Sequence, residues 1–82
     1  MDKTRLMVIL DRLQAMREDQ RGELQTREFM QFGVPVCRVT YQRLNKQWVL
    51  ERYEPDRILY FDDIDLVAIE IFDCLYDFRH SF

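Results

Sequence analysis

Residues 62–78 read DDIDLVAIEIFDCLYDF, and on a helical wheel their apolar positions cover roughly 220°. The polar strip left over, Glu70, Asp73 and Asp77, is wholly acidic. Ile64, Val67, Ala68, Ile71, Leu75 and Phe78 make the main stripe. Ile69, Phe72 and Tyr76 widen it, and Leu66 sits among the acids. A helix this apolar needs more cover than the face of one small sheet supplies. It implies a core on one side and a second contact on the other. Its start is expected at Asp62 or Asp63, because an Asp side chain accepts the first free backbone N–H groups and extra carboxylates suit the positive helix end.

The rest of the chain has to provide the surface for that helix. Residues 4–19 place Leu6, Ile9, Leu10, Leu13 and Met16 on one helical face, with Asp2 or Thr4 as cap and Gly22 as stop. Residues 25–32 alternate as a strand, Met30 and Phe32 opposite Arg27 and Phe29. Gly33-Val34-Pro35 reads as a turn. In the strand 36–42, Cys37, Val39 and Tyr41 share one side and Arg38, Thr40 and Gln42 the other. After a polar loop at 43–47, residues 48–53 set Trp48 and Leu50 against Val49 and Tyr53. Glu54-Pro55-Asp56 turns the chain into a short fourth strand or extended lead-in at 58–61. Short consecutive connections predict one domain over 1–82. Its class is α+β, a two-layer sandwich in which an antiparallel three- or four-stranded meander sheet is flanked by an N-terminal and a C-terminal helix.

Composition narrows the chemistry. The chain of 82 residues holds two cysteines, too few for a secreted disulfide framework. No apolar run reaches the roughly 18 residues of a membrane span, and no signal-peptide pattern opens the chain. A reducing cytoplasm is the expected compartment. The single Ser (Ser81) and single His (His80) fall in the last three residues, where chain ends hold reacting groups poorly. The cysteines have no His or Lys near them in sequence, so both read as buried structural thiols. Asp62, Asp63 and Asp65 offer oxygen ligands for a divalent ion, but capping accounts for two of them. With two glycines and no phosphate-loop pattern, no cofactor is expected.

Charge is unevenly spread. Residues 1–53 carry +3 and residues 54–82 carry −6, which together give the −3 of the chain. The acidic strip Glu70, Asp73 and Asp77 is expected to face solvent or to dock Arg27, Arg38, Arg43 or Arg52 of a partner subunit. Arg27, Phe29, Arg38 and Thr40, if together on an uncovered sheet face, would suit a single-stranded nucleic acid by stacking and phosphate neutralisation.

The stretch YFDDIDLVAIEIFDCL at 60–75 resembles the C-terminal signature of the YkuJ-like family of small bacterial proteins. The likeness extends upstream through Arg12-Leu13-Gln14, REF at 27–29 with Gly33, VCRVTY at 36–41 and the strand 48–53, so it spans nearly the whole chain. It implies a compact α+β fold, a dimer, and no assigned activity or catalytic residues to carry over. The chain departs from the pattern with 76–82 and with Arg52, where an apolar strand residue is usual.

The expected function is a non-enzymatic, cytoplasmic, homodimeric protein-interaction or regulatory module, with an unidentified protein partner and no membrane. Leu66, Ile69, Phe72, Tyr76, Phe29, Trp48 and Tyr53 are its interface candidates. The alternative is an RNA or single-stranded nucleic-acid module using Arg27, Phe29, Arg38 and Thr40.

Overall fold

The computed structural model of the chain describes residues 3–53 and 56–80. Helix α1 (Lys3–Glu18) leads into four strands, β1 (Leu24–Gln31), β2 (Val34–Gln42), β3 (Gln47–Tyr53) and β4 (Asp56–Phe61), and helix α2 (Ile64–Arg79) closes the order. The strands form one antiparallel meander, β1-β2-β3-β4. Both helices lie on one face of it, so the expected α+β two-layer architecture is the one observed. Asp2 and the Glu54-Pro55 part of the expected turn lie outside the described residues.

Alternation writes the core. Tyr41 pairs with Gln25 on one side and Trp48 on the other, and Trp48 pairs with Phe61. The next inward row is Arg27, Val39, Leu50 and Leu59. Directly paired residues on neighbouring strands point to the same face. These rows meet Ile9, Leu13 and Met16 of α1 and Val67, Ala68, Ile71 and Cys74 of α2 in one buried cluster.

The connections explain the register. Phe32 and Gly33 both take positive φ (57° and 74°), which matches the twist of a two-residue hairpin. The turn thus comes one residue earlier than the Gly-Val-Pro reading, and Pro35 falls within β2. It is tolerated there because a bulge between Phe29 and Met30 breaks the ladder and β3 pairs only from Cys37 onward. The Phe32 ring lies 6.4 Å from that of Phe78, so the hairpin tip reaches the end of α2.

Asp63 caps α2. It is extended (φ −120°, ψ 122°), and its carboxylate accepts from the Asp65 N–H at 2.8 Å. Replacing Asp63 with Ala should lower stability by about 1 kcal/mol, read as an earlier urea midpoint at unchanged slope. An unchanged midpoint would show that the cap contributes nothing.

Candidate functional site

Three surfaces follow from this fold. The first is the outer strip of α2. Val67, Ala68, Ile71 and Cys74 are buried beneath the helix, while Leu66, Ile69 and Tyr76 are about half exposed. Phe72 is half-buried against the core, its ring 6.4 Å from that of Tyr76. Asp65 and Asp73 lie exposed among these side chains. The strip is apolar and acidic at once.

The second surface is the bare face of the sheet. One row runs Thr26, Thr40, Val49 and Tyr60, and the next runs Glu28, Arg38, Glu51 and Ile58. The polar groups here satisfy one another. Thr26 and Thr40 share a hydrogen bond at 3.1 Å. Arg38 donates to Glu51 at 2.7 Å, and the Tyr53 hydroxyl donates to Glu28 at 3.1 Å. Partial burial and the Glu28 carboxylate push the Tyr53 phenol up. Around these pairs Leu24, Ile58 and Tyr60 stand exposed, each by more than half.

The third feature is an open cleft of about 400 Å³ between the first turns of α1 and the last turns of α2. Ile9, Phe72 and Leu75 line it with Arg5, Asp73 and Arg79.

Two interface candidates belong to the interior. Phe29 is buried in the core, with the Arg12 guanidinium 4.2 Å above its ring centroid. Trp48 is buried against Tyr41, their centroids 4.5 Å apart. Tyr53 does lie on the bare sheet face, partly exposed.

The nucleic-acid grouping separates for the same reason. Phe29 pairs with Cys37 and Arg27 with Val39, both on the helix side, whereas Arg38 and Thr40 point to the bare side. The four therefore do not share a face. Arg38 is held by Glu51, and no base can stack on Phe29.

The acidic strip of α2 has a partner within its own chain. Arg52 pairs with Cys37 across β2–β3 and so points at α2. Its guanidinium donates to Glu70 at 3.0 Å and lies 3.7 Å from Asp77. The docking expected from a partner subunit is thus met by Arg52 of the same chain. Arg43 bonds to the Gly22 and Arg17 carbonyls instead, tying the α1–β1 connection to the end of β2.

The same register puts Arg52 beside the two cysteines. Cys37 and Cys74 are free and buried at the sheet–helix interface, where the Cys74 S–H donates to the carbonyl of Val36, the residue before Cys37, at 3.9 Å. Cys37 and the Arg52 guanidinium hold the Cys74 thiol below its ordinary value. The neighbouring Cys74 and burial push the Cys37 thiol up. Sequence distance hid this contact, since Arg52 is far along the chain from both thiols. The one signal was a charged residue at an inward strand position. Among the described residues no cluster of three His, Cys, Asp or Glu side chains could hold a metal, and Asp63 is engaged as the α2 cap. No helix among them is long and apolar enough to cross a membrane.

Comparison with known proteins agrees with this architecture. The family model described as "Protein of unknown function (DUF1797)" matches residues 9–75. The uncharacterized protein YkuJ of Bacillus subtilis (strain 168) is 35% identical, over 88% of this chain and 98% of its own. The X-ray structure of the Bacillus subtilis YkuJ protein matches with a TM-score of 0.81 at 34% identity, covering 87% of this chain and 96% of that one. With its sequence, strand order and flanking helices all in accord, the chain belongs to the DUF1797 family of proteins of unknown function.

Proposed function

We propose that the protein is a non-enzymatic cytoplasmic module that works through protein contacts as a homodimer, two copies meeting by the bare faces of their sheets. One observation carries this reading. The polar side chains on that face are already paired within the copy, Arg38 with Glu51, Tyr53 with Glu28 and Thr26 with Thr40. Covering it therefore strands few polar groups, and what remains to be covered is the apolar area of Leu24, Val49, Ile58 and Tyr60. Two such faces pack at roughly 10 Å, as in a sandwich. The alternating charges Glu28, Arg38 and Glu51 suit a face that meets its own copy.

The α2 strip is less suited to a second copy, because Asp65 and Asp73 would meet their own like charges. It is the surface left for a different protein, one that brings apolar and basic side chains.

Replacement of Tyr60 by Glu and of Ile69 by Glu separates the two surfaces. Light scattering on the eluting protein should give a dimer for the parent and the Ile69 variant, and a monomer for the Tyr60 variant. The opposite pattern would move the self-contact to α2 and sink the sheet-face reading.

A further inference from the structure

We propose that Cys37, Cys74 and Arg52 form an oxidation site for hydroperoxides, in which Cys74 reacts first and Cys37 closes a disulfide that ties β2 to α2. The site lies apart from both exposed surfaces and is independent of the dimer reading.

The argument starts from register. Cys37 and Arg52 are direct neighbours on β2 and β3, and both face α2. Cys74 sits above them, with Glu70 one turn before it and Asp77 one turn after on the same helix. The two carboxylates engage the terminal nitrogens of Arg52. The Arg52 Nε is buried with no hydrogen-bond partner, although buried polar atoms almost always have one. Cys74 lies on α2 between the two carboxylates that hold this same guanidinium. As a thiol, Cys74 faces only the Val36 carbonyl at 3.9 Å. As a thiolate it answers the buried cation.

A thiolate beside a guanidinium is the reactive form of cysteine, and an adjacent second thiol suits a resolving role. The chemistry balances. The Cys74 sulfur attacks one peroxide oxygen, the O–O bond breaks, and the departing oxygen leaves as alcohol or water after taking a proton. Cys74 is then a sulfenic acid. The Cys37 sulfur attacks it, the Cys37 proton and the sulfenic hydroxyl leave as water, and the S–S bond forms. Two thiols are oxidised and one hydroperoxide is reduced. No turnover is implied, since the pair stays oxidised until a thiol reductant resets it. Both sulfurs are shut from bulk solvent, so the reagent enters as the last turns of α2 lift from β2.

Hydrogen peroxide added to the full chain under native conditions tests this by intact mass. The expected product is a monomeric chain lighter by two hydrogens. In Cys37→Ala, Cys74 should stop at the sulfenic acid and be captured by a sulfenic-specific nucleophile. In Cys74→Ala, Cys37 should stay unmodified over the same time. The decisive arm is Arg52→Gln. If oxidation needed only global unfolding, this less stable variant would react faster. The site predicts a rate about tenfold slower at neutral pH, because the thiolate returns towards an ordinary thiol, and a pH–rate profile displaced to higher pH. Faster oxidation of Arg52→Gln, equal reactivity of Cys37 and Cys74, or no disulfide in the parent would each overturn the proposal.

Discussion

Replacing Trp48 with Ala should lower stability by about 3–5 kcal/mol, which leaves the domain close to unfolded at room temperature. The indole is 1% exposed and packs on Tyr41. It stands in the row that continues to Phe61, beneath the helices. Truncation to Ala therefore removes a large apolar side chain and leaves a cavity that β-strands on both sides cannot collapse to fill. Urea unfolding followed by far-ultraviolet circular dichroism reads the loss. A fall below about 1 kcal/mol is the size expected for an exposed side chain and would return Trp48 to the list of contact residues.

Arg52→Ala is the second large effect, with an expected loss of about 2–3 kcal/mol. Removing one member of a fully buried pair costs roughly 3–5 kcal/mol. The lower figure follows from exposure. The Arg52 side chain is 11% exposed, but Glu70 and Asp77 are 27% and 69% exposed, so water screens part of the carboxylate left behind. The double change Arg52→Met with Glu70→Leu should recover most of the loss, to within about 1 kcal/mol of the parent, because it removes the charge together with its counter-charge. If the double variant is no more stable than Arg52→Ala, the ion pair is not what Arg52 contributes.

The sequence carried most of the secondary structure because periodicity is a local property. Leu13 and Met16 on α1, and Val67 and Ile71 on α2, fall on their core stripes by helical spacing alone. Within each strand the sides were also legible, with Cys37, Val39 and Tyr41 opposite Arg38 and Thr40. What alternation cannot say is how the sides of one strand align with those of the next. That depends on turn position and bulges. Here the Phe32-Gly33 turn and the bulge after Phe29 put Phe29 against Cys37 and Glu28 against Arg38. Phe29 and Arg27 thereby join the helix side, and the basic-aromatic patch dissolves. Trp48 was assigned to the correct strand side with Leu50, yet only its pairing with Tyr41 shows that this side is the interior.

Contacts between distant residues were beyond reach for a related reason. Glu70, Asp73 and Asp77 form an acidic strip in the wheel, and the wheel does not show what lies opposite. Arg52 looked out of place in a strand because its partners are on α2, reached only after β4 and the Asp63 cap. Cys74 looked inert because the guanidinium beside it comes from β3. The exposed strip Leu66, Ile69 and Tyr76, by contrast, was readable from the width of the apolar face, since one helix cannot bury all of that width against one sheet.

Sedimentation equilibrium of the unmodified chain, from below one to on the order of a hundred micromolar, tests the self-association account most directly. The account predicts a mass that rises to twice that of the chain and stops there. A mass that stays at one chain across the whole range would contradict it.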